Sequence, residues 1–195
     1  FNSYPAALMP DYKALRYITS PNHIVSDSKN HHPGIDNSGP FLSMNPFSSR
    51  CCQHNHGFGW PYYTENLIYA TPDNGMAAVL YNACQAKVKV GGGTEVTIKE
   101  QTNYPFEETV RFTLTTPENV TFPLYLRIPS WCKDASVAVN GQKLGVDLIA
   151  GKYVKITREW SDADEIVLTV PMTFNYRQWQ VNKNSVSVDY GPLTL

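Results

Sequence analysis

Two adjacent cysteines, Cys51 and Cys52, are the residues of this chain best suited to chemistry. Neighbouring cysteines seldom form a disulfide with each other, because the short ring strains both the intervening amide and the disulfide dihedral angle. Two thiolates presented by consecutive residues suit a soft, tetrahedral ion such as Zn²⁺. Alternatively, one thiolate acts as a nucleophile beside its neighbour. The pair therefore predicts a metal site, a nucleophilic cysteine, or both.

The surroundings of the pair bear on whether it forms a site or only packs, since free cysteine often behaves as a small buried hydrophobe. The pair lies in a polar stretch, residues 45–59, that lacks apolar periodicity. Binding and catalytic residues concentrate in such irregular segments. No second Cys-x-x-Cys or His-x-x-x-His supplies further zinc ligands nearby. We therefore predict a functional site at the pair whose remaining ligands lie elsewhere.

His54 and His56 closely follow the cysteines and could complete a local metal site with them. Self-contained zinc sites, however, normally separate their ligand pairs by a longer loop. We interpret the two histidines as pocket or loop residues that bond substrate hydroxyls or backbone, with His54 as the substrate-binding candidate. The other cysteines, Cys84 and Cys132, lie in strand-like segments and are interpreted as packing or surface thiols.

The bulk composition limits the possible partners. The chain has 195 residues, a formal net charge of -1, and 42% hydrophobic residues. The near-neutral charge argues against nucleic acid or an anionic membrane, because both require a basic face. No apolar run approaches the ~18 residues of a membrane span. The four cysteines are too few for a disulfide framework, and they leave the cellular compartment open.

The second half of the chain predicts short β-strands. From Met76 onward, apolar residues alternate with polar ones in runs bounded by Gly, Pro, Asn or Asp. Asn140-Gly141 is a strong signal for a type I′ hairpin turn, and residues 91–93, three glycines, make another tight connection. About ten strands without an intervening helical pattern predict an antiparallel β-sandwich, plausibly jelly-roll-like. We assign it to residues 76–195.

The first half differs in character. All five histidines precede residue 75, as does a long Ser-, Asn-, Gly- and Pro-rich stretch over residues 26–46. Short regular pieces interrupt it: the end of a helix over residues 1–8, a strand over 13–20, and one or two helical turns over 62–69. Both ends of the chain look cut. We expect residues 1–75 to be the loop-bearing end of a larger body.

Several motifs resemble one known family. Cys51-Cys52-x-x-Asn55 resembles the double-cysteine motif of the β-L-arabinofuranosidases, glycoside hydrolase family 127, or GH127. The similarity extends to other short stretches along the chain, which are Phe1-Asn2-Ser3, Leu15-Arg16-Tyr17-Ile18, Gly59-Trp60-Pro61, Ala70-Thr71-Pro72-Asp73-Asn74-Gly75, Arg127-Ile128-Pro129-Ser130-Trp131 and Tyr190-Gly191-Pro192-Leu193.

The resemblance implies an (α/α)₆ barrel that carries the active site, followed by β-sandwich domains. Residues 1–75 would then be the last part of the barrel, and residues 76–195 a sandwich truncated at its C-terminal end. The resemblance implies that Cys51 is both the nucleophile of a retaining mechanism and a zinc ligand. It further implies that Cys52 is a zinc ligand and that Tyr17 lines the sugar pocket. The partners expected are a carbohydrate substrate and the remainder of the barrel.

Two departures qualify this expectation. Family members with established activity tend to carry two prolines after the cysteines, whereas this chain has Gln53 and His54, so its substrate is left open. The acid/base glutamate and the Glu-x-Cys that complete the zinc site are expected upstream of Phe1, and Glu65 is interpreted as a surface residue. Residues 1–195 alone are therefore predicted to be inactive and to bind zinc weakly.

A rival interpretation from a different class is a carbohydrate-binding sandwich without catalysis. Trp131, Trp160 and Trp179 could then supply an aromatic platform for a sugar. The third interpretation is a purely structural domain that buttresses the barrel.

Overall fold

The computed structural model describes residues 15–16, 42–43, 51–181 and 183–194. The chain divides into two compact units, Glu65–Thr173 and a second made of Phe1–Thr64 with Phe174–Leu195. The predicted domain division at residue 75 stays a prediction. Among the described residues, no helix combines the length and apolarity needed to cross a membrane.

The described elements are mainly strands, as the alternation predicts. In chain order they are β1 (Leu15–Arg16), β2 (Leu42–Ser43), α1 (Cys51–Glu65), β3 (Ile68–Ala70), β4 (Met76–Ala78), β5 (Cys84–Val90), β6 (Thr94–Gln101), β7 (Thr109–Thr115), β8 (Val120–Arg127), β9 (Ser136–Val139), β10 (Gln142–Lys143), β11 (Tyr153–Trp160), β12 (Glu165–Thr169), β13 (Phe174–Trp179), β14 (Ser185–Tyr190) and β15 (Leu193–Thr194).

The unit Glu65–Thr173 is a β-sandwich of ten strands, so the predicted fold class is confirmed. One sheet has six strands in the order β10-β9-β12-β7-β6-β5, and the other has four in the order β11-β8-β4-β3. Strand β7 pairs with β12, β8 with β11 and β9 with β10, all antiparallel. In this nested pairing the outer strands pair with each other and enclose the inner pairs, which is the strand arrangement of a jelly roll. The predicted Asn140-Gly141 turn is also confirmed, since it joins β9 to β10 with φ of 50° and 77°.

One strand pair departs from the antiparallel prediction, because β4 runs parallel to β8. Parallel neighbours need a long crossover connection. Here the chain leaves β4, passes through the three consecutive strands β5, β6 and β7 of the other sheet, and then returns beside β4. The period-two pattern identifies strands but carries no information on the direction of their neighbours.

The core lies between the two sheets, because each sheet buries one face. Phe112 and Leu114 on β7 and Leu124 and Leu126 on β8 all have 0% exposure. Tyr81, in the connection from β4 to β5, joins the sheets: its ring packs edge-on against Phe112, and its hydroxyl donates to the carbonyl of Arg127 at the end of β8. The buried faces thus form one shared core, as in other sandwiches.

The other unit contributes a small sheet to the described structure. Strand β14 pairs with β13 on one side and with β15 on the other, all antiparallel. Every residue of β13 is exposed. Strands β1 and β2 form a separate two-stranded pair.

Candidate functional site

The cysteine pair occupies the first two positions of helix α1, Cys51–Glu65. The first N–H groups of a helix have no partner within the helix, and the macrodipole adds partial positive charge at that end. A thiol placed there is more readily ionised than one in solution. Cys51 and Cys52 thus occupy helix positions at which the backbone carries partial positive charge.

This placement corrects, over residues 51–59, the interpretation of the stretch 45–59 as irregular; residues 45–50 lie outside the described residues. It also corrects the interpretation of residues 62–69 as one or two helical turns. The helix runs to Glu65, and the strand β3 already begins at Ile68. The helix contains two glycines and Pro61, whose ring nitrogen cannot donate to the carbonyl of Gly57. Helices with such weak local propensity are stabilised by packing, which explains why the sequence pattern contains no helical period here.

Three of the four predicted site residues therefore belong to one helix. His54 follows Cys51 by three residues, and positions with this spacing lie on the same side of a helix. The ring of His56 lies edge-on against Trp60, with 5.7 Å between centroids. His56 thus has a packing role in addition to any contact with a ligand. The fourth predicted site residue, Tyr17, lies outside the described residues.

The donor set of the pair fits half of a zinc site. Consecutive Cα atoms are ~3.8 Å apart, a separation that two ligands of one tetrahedral ion tolerate. Within the part of the chain that the structure describes, no group of three or more His, Cys, Asp or Glu side chains could hold a metal. The two thiols suit Zn²⁺ by their softness, and the remaining ligands would have to come from other residues of the polypeptide.

The other two cysteines have the packing role that the sequence predicts. Cys132 is 1% exposed and Cys84 is half-buried, and both are free thiols. Burial, followed by the neighbouring Glu100 carboxylate, raises the pKa of Cys84 to about 11. A thiol with so high a pKa is a poor nucleophile near neutral pH.

Trp160 cannot contribute to the predicted tryptophan platform. Trp160 is fully buried, and its indole N–H donates to the carbonyl of Phe122 at 3.0 Å. Trp179 is 44% exposed, but it belongs to β13 and donates to the Ser187 hydroxyl. Alternation along β11 places Trp160 on the inner face of its sheet, which a count of aromatic residues does not reveal.

A different feature of the sandwich was missed at the sequence level. An open cavity of about 370 Å³ lies at the start of β4, lined by Thr71, Pro72, Asp73, Ala77, Tyr125 and Tyr153. The segment over residues 71–75 stood out in the sequence only for its resemblance to a family motif, and the tyrosines occupy outward positions of β8 and β11. The cavity depends on the pairing of β8 with β11, which the sequence pattern does not encode.

The Asp73 carboxylate forms hydrogen bonds with neighbouring side chains at one side of this cavity. Its Oδ1 accepts from the Thr71 hydroxyl at 2.6 Å, and its Oδ2 accepts from the Tyr125 hydroxyl at 2.6 Å and from Lys155 Nζ at 2.9 Å. These hydrogen bonds, that of Thr71 first, hold the pKa of Asp73 well below its usual range. Asp73 is therefore ionised, and it joins the turn to strands β8 and β11.

The sandwich is of a kind found in glycoside hydrolases. Residues 75–172 match the family model for the GH127 middle domain of β-L-arabinofuranosidases, which is half of the chain. The chain belongs to the GH127 β-L-arabinofuranosidase family, as its motifs indicate.

Solved structures agree with this assignment. A GH127 β-L-arabinofuranosidase from Geobacillus stearothermophilus T6 is 31% identical, with a TM-score of 0.68 over 75% of this chain and 24% of that one. A structure described as a glycoside hydrolase matches all of this chain and 32% of its own, at 24% identity and a TM-score of 0.78. A GH127 β-arabinofuranosidase at 24% identity has a TM-score of 0.65 over 76% of this chain and 26% of its own.

The last two similarities concern the fold alone. The chain spans about a quarter to a third of the length of these solved proteins. No protein of curated function matches it.

Proposed function

We propose that this chain is part of a glycoside hydrolase that acts on β-L-arabinofuranosides or related sugars, with Cys51 as its nucleophile. The observation that carries the proposal is membership of the GH127 family, established by the middle domain over residues 75–172. The G. stearothermophilus relative is a β-L-arabinofuranosidase. The position of the cysteines at the start of α1 supports the role of Cys51, since a helix N-terminus favours the thiolate.

The chemistry is that of a retaining glycosidase in which a thiolate replaces the usual carboxylate nucleophile. The Cys51 thiolate attacks the anomeric carbon, a carbon–sulfur bond forms, and the bond to the leaving oxygen breaks. A general acid protonates that oxygen. The resulting base then removes a proton from water, which attacks the same carbon and releases the thiolate. By family resemblance the acid/base is a glutamate outside these 195 residues.

Cys51 and Cys52 are proposed to hold Zn²⁺, which would keep their thiols deprotonated near neutral pH when bound. His54 is proposed to bond a sugar hydroxyl, because its position lies one turn along the helix on the side of Cys51. Tyr17 is proposed to line the same pocket. The remaining ligands of the ion, and most of the pocket, are expected from the catalytic barrel.

The test uses the complete gene product that contains this chain, assayed on a chromogenic β-L-arabinofuranoside with zinc measured by elemental mass spectrometry. Cys51→Ser should lower kcat by more than about a thousandfold, as expected for loss of a nucleophile. Cys52→Ser should lower the bound zinc. Cys84→Ser is the matched control, since this half-buried thiol lies outside the proposed site, and it should keep both activity and zinc.

A rapid acid quench during turnover gives a second readout. The peptide that contains Cys51 should carry the mass of one arabinosyl group, and the peptide of Cys84 should not. Undiminished turnover by Cys51→Ser would overturn the assignment of the nucleophile.

A further inference from the structure

The solvent-facing side of the four-stranded sheet has an unusual composition. Tyr69 on β3 pairs with Ala77 on β4, Ala77 with Tyr125 on β8, and Tyr125 with Lys155 on β11. Residues directly opposite one another share a face, so these four form a single cross-strand row. Tyr153, two residues before Lys155, lies on the same face. The outer face of a sandwich normally carries polar residues, whereas this one presents three tyrosines.

The cavity of about 370 Å³ is built on this row. Ala77 is the small residue between the larger Tyr69 and Tyr125, and it is 8% exposed. Tyr153 and Pro72 complete the apolar lining. Tyr153 is 47% exposed, so its ring is accessible to a ligand. The volume falls in the range of small-molecule sites, ~300–1,000 Å³.

Charged groups stand at one side of the apolar lining. Lys155 Nζ is 2.9 Å from Asp73 Oδ2 and 5.4 Å from the centroid of the Tyr125 ring. An ammonium group has three N–H donors, so donors remain after the bond to Asp73. The three hydrogen bonds to the Asp73 carboxylate also leave lone-pair capacity on its oxygens. The cavity therefore offers an accessible ring and the Asp73 acceptor, and the Lys155 donor lies next to Asp73 outside the lining.

We propose that this cavity is a second, non-catalytic binding site for a neutral sugar ring. The apolar C–H face of the sugar would pack on Tyr153, and neighbouring hydroxyls would bond Lys155 Nζ and Asp73 Oδ1. The identity of the sugar, a terminal L-arabinofuranosyl group, rests on the proposed function. An apolar side chain of another polypeptide fits this cavity less well, because it would desolvate the two charged groups without bonding them.

The probe is methyl β-L-arabinofuranoside, titrated into the isotopically labelled 195-residue chain and followed by amide chemical shifts. We expect saturable shifts in residues 69–77, 123–127 and 153–156. Tyr153→Ala should weaken binding by about tenfold, the scale of a lost aromatic contact. Lys155→Met keeps the apolar stem but removes the donors, and it should weaken binding similarly.

Two controls separate this site from the cysteine site. Tyr176→Ala removes a tyrosine of β13 that is 71% exposed and does not line the cavity, and it should bind as the wild type does. Cys51→Ser should also retain the shifts around Tyr153. Thermal unfolding of each variant, followed by circular dichroism, shows whether it is folded.

The outcomes discriminate between the two proposals. If Tyr153→Ala loses sugar binding and Cys51→Ser keeps it, the cavity site is supported. This conclusion holds whether or not the complete gene product hydrolyses the β-L-arabinofuranoside. Shifts that vanish in Cys51→Ser and persist in Tyr153→Ala would place the sugar at the cysteines and overturn the inference. Absence of any shift at saturating sugar in the folded chain would overturn it too. Crosslinking of the complete gene product gives a further test. If Tyr153 crosslinks to another part of that protein, the cavity is covered by polypeptide and not by sugar, and the inference is overturned.

Discussion

Glu100 is a carboxyl group in the core of the sandwich. It lies on the inner face of β6, opposite Cys84 on β5 and Phe112 on β7, and is 1% exposed. The backbone N–H of Asn82 donates to its Oε1 at 3.0 Å, and the Cys84 thiol lies 3.8 Å from its Oε2. Burial raises the pKa of Glu100 to about 8, against the lowering effect of these two hydrogen bonds. Glu100 is therefore mostly protonated at neutral pH.

The pH dependence of stability follows from this shift. The unfolded chain releases the Glu100 proton near pH 4.5 and the folded chain near pH 8, so the folded state binds more protons between these values. The stability due to Glu100 is complete below pH 4.5 and is lost as the pH rises through about 8. We expect the contribution of Glu100 to the unfolding free energy of the wild type to fall by on the order of 5 kcal/mol across this window, since its pKa rises from 4.5 to about 8 on folding and each pKa unit is worth ~1.4 kcal/mol.

Glu100→Gln should remove this fall, because the amide keeps the shape of the protonated acid without its ionisation. Urea unfolding at both ends of the window measures the effect. Glu159→Gln, a change at an exposed position of β11, is the control and should keep the slope of the wild type. Equal pH slopes for the wild type and Glu100→Gln would show that Glu100 does not titrate with a raised pKa.

Among the elements, β4 depends on one glycine. A Cβ atom at Gly75 would lie 2.1 Å from the carbonyl oxygen of Pro123 on β8 and 2.6 Å from its Cγ. Met76, the next residue, pairs with Leu124 in the parallel register. The backbone N–H of Gly75 also bonds the Thr71 hydroxyl at 3.1 Å, which closes the turn beside the cavity. Only a residue without a side chain lets β4 approach β8 this closely.

Gly75→Ala should therefore destabilise the sandwich by at least ~2 kcal/mol, the scale of an overpacked site whose neighbour is backbone. Gly92→Ala is the matched control: its Cβ would meet nothing within 4 Å, and its φ lies outside the left-handed region. This control should change stability by no more than ~0.5 kcal/mol. Denaturant unfolding compares the two variants, and equal stabilities would show that the approach of β4 to β8 is not tight.

The helix and the strands differed in how well the sequence predicted them. The inner positions of β7 and β12 alternate strictly, so their existence and buried faces followed from period two alone. Helix α1 has no apolar stripe, and its glycines and proline indicate irregular structure. Tertiary contacts stabilise such a helix, and no local sequence pattern encodes them.

For the molecule as a whole, motif resemblance and periodicity supplied different information. The double cysteine and the Asp-Asn-Gly turn pointed to the family, and the family match over residues 75–172 confirms it. The period-two alternation of apolar residues predicted the β-sandwich. Neither showed that Trp160 is internal or that Tyr125 and Tyr153 line one cavity, because both depend on which strands become neighbours. The roles of Cys51, Cys52, His54 and Tyr17 stay predictions.

Strands β7 and β13 differ greatly in how much apolar surface they bury. Strand β7 lies between β6 and β12, and its inner residues Val110, Phe112 and Leu114 all have 0% exposure. Strand β13 pairs with β14, yet Phe174 and Tyr176 are each 71% exposed. Local opening costs little where few apolar contacts are lost, so the two strands should open with different free energies.

Hydrogen exchange of the 195-residue chain tests this difference. After correction for intrinsic rates, the amides of β7 should exchange at least ~100-fold more slowly than the paired amides of β13, because opening β7 requires disrupting the sandwich core. Strand β12 is an internal control, since it pairs on both sides in the same sheet and should match β7. Mass spectrometry of peptides from the three strands gives the comparison. If β13 is as protected as β7, then the small sheet opens only together with the sandwich, and the two units unfold as one.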